Sequence, residues 1–171
     1  SPEARKARAE QMGFDTSRVW YHGTVRSIDA FDLSRRDRTH SLSAQGIFFS
    51  SHPEMASRYA GIRAIQKGRD DVKGTVIPVY VRGRQASVPV LSRNYPQSTI
   101  KELERLRAEG YDSVVLRGNR DALPVGKDER GRDFYPDELI VFDPSNIRST
   151  SAAFDPREEG SQILLASVSG G

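Results

Sequence analysis

Short apolar segments, each bounded by glycine, proline or charged residues, recur along the whole chain and largely decide how it can fold. Each has the length of one β-strand. Few helical segments separate them, and strands and helices do not alternate strictly, so a sheet of repeated parallel βαβ units is disfavoured. The pattern predicts an α+β fold. The predicted strands are residues 19–24, 46–50, 75–81, 86–90, 112–116 and 138–142.

Three segments carry signals for the start of a helix. A serine followed by proline and glutamate opens residues 1–13, and a glycine ends that segment. Residues 51–66 and 99–110 each begin with the spacing of a capping box, in which a hydroxyl residue is followed three positions later by glutamate. We therefore expect three helices.

Length and hydropathy predict one domain. The 171 residues, 36% of them hydrophobic, are sufficient to close a core without a metal or a disulfide. No apolar window is long enough to span a bilayer, and no signal peptide is visible. We predict a connector helix at residues 1–18, the main domain at 19–149, and a tail or linker at 150–171. Because the chain begins without Met, we expect it to be part of a longer protein.

Composition excludes several classes of site. The chain has no cysteine, which excludes disulfides, thiolate zinc sites and cysteine nucleophiles. Its three histidines lack the spacing of metal ligands, so we expect no metal. The net charge of +3 is small, and basic residues are interleaved with acidic ones, as on a solvated surface. A nucleic-acid partner is therefore unsupported.

Four short motifs occur in a fixed order along the chain. Tyr59 stands eleven residues after Phe48, which lies in the second motif. In this order and spacing the motifs resemble the catalytic signature of the His-Tyr-Glu class of NAD-dependent ADP-ribosyltransferases, which includes diphtheria toxin and the poly(ADP-ribose) polymerases. The resemblance covers residues 19–149. The motifs are residues 21–24 (Tyr-His-Gly-Thr), residues 46–50 (Gly-Ile-Phe-Phe-Ser), Tyr59, and residues 138–143 (Glu-Leu-Ile-Val-Phe-Asp).

This resemblance implies a split β-sandwich of two small sheets with flanking helices and an NAD cleft between the sheets. It implies that Glu138 is the catalytic carboxylate, placed beside the ribosyl cation as that cation forms. Asp137 is the competing carboxylate, and only the resemblance favours Glu138. His22 would bind the adenosine ribose, the backbone of Gly23 the nicotinamide carboxamide, and Thr24 would support the strand and the ribose.

The resemblance also implies an aromatic clamp on the nicotinamide ring. Tyr59 would stack on the ring, and Phe48 would form the opposite wall, where a tyrosine is usual. Ser50 would lend a hydroxyl. As an alternative, Tyr59 is ordinary core, because it falls at helical spacing with Met55 and Ile62.

Two further details bear on NAD and on the acceptor. The basic residues 35–38 precede the second motif, where a loop over the NAD pyrophosphate would lie, but a solvated charge cluster is the favoured interpretation. Arginine-specific members of the superfamily carry Glu or Gln two positions before the catalytic glutamate. Pro136 stands at that position, which disfavours an arginine acceptor.

The resemblance implies a mono-ADP-ribosyltransferase that uses NAD as substrate and modifies a macromolecule, with protein favoured over nucleic acid. We expect a soluble bacterial or phage toxin or effector module that acts in a cytoplasm, with an immunity or antitoxin protein as a further partner. Diphtheria toxin also has alanine at the position of Ala56, which favours the toxin-like members of the class. The alternatives are an NAD glycohydrolase, a transferase that modifies nucleic acid, and a degenerate NAD-binding or docking module.

Overall fold

The computed structural model describes residues 1–25, 28, 30–32, 42–66, 68, 74–89, 96–118 and 124–165. Within these ranges the chain forms three α-helices and seven strands, which confirms the α+β class. None of the helices within these ranges is long and apolar enough to cross a membrane. The helices are α1 (Pro2–Gln11), α2 (Pro53–Gln66) and α3 (Pro96–Ala108). The strands are β1 (Phe14–Thr24), β2 (Ile47–Ser50), β3 (Thr75–Arg82), β4 (Gln85–Pro89), β5 (Ser113–Arg117), β6 (Glu138–Val141) and β7 (Ile147–Ser149).

Helix α1 begins as its sequence predicts, and the strand after it begins earlier than predicted. The Ser1 hydroxyl accepts the Ala4 N–H at 3.2 Å. Strand β1 starts at Phe14, not at residue 19, and Phe14 is buried. A register shift between Asp15 and Trp20 interrupts the alternation of buried and exposed residues. That irregularity conceals the first half of β1 from a search for strand periodicity.

The other two helices form where expected, but their predicted capping boxes do not. The Ser51 hydroxyl accepts the N–H of Asp137, and the Glu54 N–H donates to Nδ1 of His52. Helix α3 begins at Pro96, so Thr99 lies inside its first turn and is 4% exposed. Proline is preorganised for the first helical position, which explains the earlier start.

The strands form one sheet in the order β4-β5-β6-β2-β1-β3-β7. Only β4 and β5 pair in parallel; every other neighbouring pair in this sheet is antiparallel. Strands β1 and β2 are joined through a single register pair, Tyr21 with Ser50. This pair divides the sheet into a group of four strands (β4, β5, β6 and β2) and a group of three (β1, β3 and β7). The two groups correspond to the two small sheets of the expected sandwich and remain linked at this pair.

The two faces of the sheet bury different clusters, as the alternation of side chains along strands requires. One face holds the main core, which includes Trp20, Phe49 and Leu139. On the other face, Ile140 and its neighbours pack against Leu103 and Leu106 of α3. Helix α2 covers this second face beside β1. The second face is where the candidate site lies.

The segment after Ser149 packs against the fold, whereas the loss of pattern in the sequence suggested a tail or linker. Phe154 is 1% exposed and packs with α1 and the start of β1, and Leu164 is 3% exposed in the main core. The Ser149 N–H donates to the Leu164 carbonyl at 3.0 Å. Residues 150–165 are thus integrated with the sheet and with α1. The rest of the predicted tail or linker, residues 166–171, lies outside the described residues.

Candidate functional site

The candidate site lies where β1 and β2 separate. Beyond Tyr21, the last residues of β1 pair with β3, for example Gly23 with Val76. Strand β2 pairs with β6 along its length, from Ile47 to Ser50. The two strands therefore diverge from their one shared pair and leave an opening between the two groups of strands. Several of the predicted site residues border this opening.

The register of three strands brings Glu138 beside Ser50. Ser50 pairs with Tyr21 on β1 and with Glu138 on β6, so the three residues form a row across the sheet. Cross-strand partners project from the same face, and so do residues two positions apart on one strand. Phe48, Ser50, Gly23 and Glu138 consequently share one face. Glu138 is the first residue of β6 and is partly buried.

Helix α2 lies directly on the backbone of β1 at Gly23. A Cβ atom at Gly23 would stand 1.8 Å from the carbonyl oxygen of Ala56 and 3.1 Å from the backbone nitrogen of Ala60. Only glycine permits this contact between strand and helix backbone. The glycine of the His-Gly-Thr motif is therefore required by packing of α2, a reason that the sequence did not reveal.

Tyr59 lies at the border of the buried face of α2. The buried residues of this helix are Met55, Ala56, Ala60 and Ala64. Ile62, which belongs to the same predicted stripe as Tyr59, is 50% exposed. Along the stripe of Met55, Tyr59 and Ile62, Met55 is buried, Tyr59 is partly buried and Ile62 is exposed, which disfavours Tyr59 as a fully buried core residue.

His22 projects from the opposite face and bridges the opening between β1 and β2. Its ring packs against Phe31 and Phe49, with centroids 4.8 and 5.6 Å apart. Nδ1 lies 2.7 Å from the carbonyl oxygen of Phe48 on β2. A carbonyl oxygen only accepts, so Nδ1 carries the proton and donates the hydrogen bond to Phe48. Thr24, two residues further on, shares this face and is 9% exposed.

Asp137 is held by contacts on both oxygens of its carboxylate. Its Oδ2 accepts from Nη2 of Arg18 at 2.7 Å, and its Oδ1 accepts the Gly118 N–H at 2.9 Å. Its side chain is 30% exposed and paired. The competing carboxylate is therefore committed to contacts within the protein. Arg18 was not found by sequence reasoning, because its partner is 119 positions away and no local pattern announces the pair.

Ser50 is buried, and its hydroxyl accepts the His52 N–H at 3.1 Å. This bond fixes the turn from β2 into α2. The His52 ring in turn contacts Phe134, with centroids 6.3 Å apart. Phe134 belongs to a hairpin at residues 125–134, whose two arms are joined by three backbone hydrogen bonds. The hairpin leads directly to β6.

The described part of the chain contains no cluster of His, Asp and Glu that would hold a metal ion. The basic residues 35–38, considered for contact with the NAD pyrophosphate, lie outside the described residues. The predicted site residues within the described ranges offer a carboxylate, two aromatic side chains, a histidine, a threonine, a serine and a glycine backbone.

Comparison with known proteins identifies the family. No curated protein and no solved structure matches the chain. A family model, described as ADP-ribosyltransferase in polyvalent proteins, matches residues 16–154. The matched region contains all the predicted site residues and every strand of the sheet apart from the first two residues of β1. It extends over well more than half of the chain, which therefore belongs to this family of NAD-using ADP-ribosyltransferases.

Proposed function

We propose that this protein is a mono-ADP-ribosyltransferase of the His-Tyr-Glu class that transfers ADP-ribose from NAD to a macromolecule. The observation that carries the proposal is the register of β1, β2 and β6. This register puts Glu138 next to Ser50, on the sheet face that Gly23 and Phe48 share. Tyr59 lies on the helix that packs on Gly23.

Glu138 would act on the bond between nicotinamide and ribose. When this bond breaks, its electron pair leaves with neutral nicotinamide, and the ribose carbon develops oxocarbenium character. A carboxylate beside that carbon stabilises the charge as it forms, as in glycoside hydrolysis. Its attraction is strongest in the transition state, so it accelerates the reaction rather than only binding NAD. The acceptor then bonds to the ribose carbon and loses a proton.

Groups on both sides of the opening would hold NAD. The rings of Tyr59 and Phe48 would enclose the nicotinamide, and Nε2 of His22 would accept a hydrogen bond from a ribose hydroxyl. The carbonyl of Phe48 orients His22, so β2 contributes to both contacts. Thr24 and the Ser50 hydroxyl would complete the ribose and nicotinamide surroundings. Phe48 lacks the hydroxyl of a tyrosine, so its contribution is stacking alone.

We propose a protein acceptor other than an arginine side chain. Pro136, two positions before Glu138, is buried and offers neither a carboxylate nor an amide side chain to orient a guanidinium. As a bacterial or phage toxin or effector module, the protein would act in a target cytoplasm. It would be neutralised there by an immunity or antitoxin partner.

The test is to incubate the purified protein with a crude lysate and NAD labelled in its adenylate phosphate, and then to separate the products. We expect the label on protein, as single ADP-ribose units, and an equivalent release of nicotinamide. Label on nucleic acid would identify the wrong acceptor class. Free ADP-ribose alone would identify a glycohydrolase. No NAD consumption would contradict the proposal.

A further inference from the structure

The residues around the start of β6 form a network that the proposed chemistry does not itself use. We propose that Asp137, held by Arg18, is a positioning residue that fixes Glu138 for the reaction. The inference rests on the proposed function, because it assigns Asp137 an effect on the rate that acts through Glu138. It concerns the residue directly before the proposed catalytic carboxylate.

Asp137 uses its side chain and its backbone at the same time. One carboxylate oxygen accepts from the Arg18 guanidinium at 2.7 Å, and the other accepts the Gly118 N–H at 2.9 Å. The Asp137 N–H donates to the Ser51 hydroxyl at 2.9 Å, and the Ser51 N–H donates to the Asp137 carbonyl at 2.9 Å. Four hydrogen bonds therefore hold this one residue.

The three partners of Asp137 lie on, or directly after, three different strands near Glu138. Arg18 lies on β1, Gly118 directly follows β5, and Ser51 directly follows β2. Glu138 itself pairs with Ser50 on β2 and with Leu116 on β5. It is, however, the first residue of β6, where a ladder ends and strands fray. The hydrogen bonds of Asp137 also attach the residue just before this strand end to the neighbouring strands.

Arg18 and Gly118 are themselves held in place. The Arg18 guanidinium stacks over the ring of Trp20 at 4.1 Å, and Trp20 is 2% exposed in the main core. Gly118 adopts a φ of +59°, a conformation that side chains disfavour, and it directs its N–H toward Asp137. A charge-assisted bond from a stacked arginine and an N–H from a constrained turn thus define one orientation of Asp137.

Both carboxylate oxygens of Asp137 are engaged within the protein, so Asp137 is expected to act through Glu138 and not on NAD. Successive residues of an extended chain project to opposite sides, so the two neighbouring carboxylates face different surroundings. Asp137 is directed at Arg18 and Gly118. Small displacements of a catalytic group from its reactive geometry reduce rates strongly, by as much as about 100-fold for ~1 Å. Loosening Asp137 is therefore expected to lower turnover more than NAD affinity.

The experiment compares the parent protein with Asp137→Asn, Arg18→Met, the double variant, Glu138→Gln, and Glu104→Gln as a control. Asn retains an oxygen for the Gly118 N–H but loses the ion pair, and Met retains an apolar stem over Trp20. Glu104 is an exposed acid on α3, outside the site. The measurements are kcat for nicotinamide release, the Kd for NAD, and the melting temperature.

We expect Asp137→Asn and Arg18→Met, where they melt above the assay temperature, each to lose about 10- to 100-fold in kcat, with the Kd for NAD within about twofold of the parent value. Glu104→Gln should keep the parent kcat. The double variant should be no slower than the slower single variant, because both remove the same interaction. If Asp137→Asn does not fold, the same kcat and Kd comparison is made with Arg18→Met.

Full kcat in a folded Asp137→Asn or Arg18→Met protein, or losses that multiply in the double variant, would overturn the positioning role alone. A parent protein that does not cleave NAD, or a Glu138→Gln variant as active as the parent, would overturn the proposed function and the positioning role with it. A comparable loss in Glu104→Gln would show that the effect of neutralising an acid is not local, and would also overturn the positioning role.

Discussion

Tyr59 and Phe48 approach the proposed nicotinamide position from different elements, a helix and a strand. Tyr59 is only partly buried at the edge of the packed face of α2, whereas Phe48 packs partly against the cluster that α3 covers. Neither side chain is needed to fill the centre of the core. A role in ligand binding therefore predicts different consequences from a role in packing.

Replacement of Tyr59 by alanine should weaken NAD binding by about 2- to 12-fold, because ring stacking contributes about 0.5–1.5 kcal/mol beyond simple burial. Tyr59→Phe keeps the ring and should bind NAD nearly as the parent protein does. Titration calorimetry with NAD and thermal melting of both variants provide the measurement. Unchanged affinity in a folded Tyr59→Ala protein would exclude the stacking role.

The adjacent residues Asp137 and Glu138 show how much can be predicted from the sequence for single residues of the site. The motif that begins at Glu138 predicts a strand start correctly. The carboxylate of Asp137 binds Arg18 and Gly118, and the sequence indicated neither contact. Those partners come from distant positions, and one-dimensional patterns carry no information on such pairs. Asp137→Asn is therefore unsuitable as a neutral control for Glu138.

At the scale of elements, the position of α2 depends on small residues. Gly23 of β1 meets Ala56 and Ala60, and a Cβ atom at Gly74 would stand 2.3 Å from that of Ala60. The helix thus lies closer to the strands than larger side chains would allow. Tyr59 lies between Ala56 and Ala60 in the sequence of the same helix. The close packing of α2 therefore also fixes the position from which the Tyr59 ring projects.

Gly23→Ala should destabilise the protein by about 1–3 kcal/mol and weaken NAD binding, because the new methyl group collides with the backbone of α2. Gly61→Ala is the matched control: Gly61 lies on α2 itself, and a Cβ atom added there would meet nothing within 4 Å. It should be stabilising by about 0.5–1 kcal/mol. Urea denaturation measures both values. Equal unfolding free energies for the two variants would contradict this packing account.

The elements that the sequence predicted well are those with local signals. The start of α1 follows from its serine cap and proline, and β2, β3, β5 and β6 follow from short apolar runs. The first half of β1 escaped because a register shift removes its periodicity. The capping box at residue 51 failed because Ser51 binds Asp137 from a distant segment instead. Tertiary contacts thus replace the local pattern at the border of the site.

At the scale of the whole molecule, the segment after β7 returns to the sheet. Arg148 is 1% exposed and donates to the carbonyl oxygens of Glu158 and Glu159, which ties this segment to β7. Burial, together with the nearby Arg82, lowers the pKa of the Arg148 guanidinium. An arginine remains charged even so, and its charge is satisfied by carbonyl oxygens. The sequence could not predict this packing, because its buried residues are scattered without period.

Leu164→Ala should reduce the free energy of unfolding by about 2–5 kcal/mol, because Leu164 is 3% exposed in the main core. Its neighbour Leu165 is 45% exposed, so Leu165→Ala should change stability by no more than about 0.5 kcal/mol. Guanidinium denaturation of both variants measures the difference. Equal values would mean that the segment does not pack on the sheet in solution.

The central claim is that Glu138 supplies the charge that drives cleavage of NAD. Glu138→Gln keeps the shape of the side chain and removes only its negative charge. Steady-state release of nicotinamide, measured beside the Kd for NAD, tests the claim directly. We predict a fall in kcat of about 10²–10³ with NAD affinity and melting temperature close to those of the parent protein. A folded Glu138→Gln protein that releases nicotinamide at the parent rate would contradict the account.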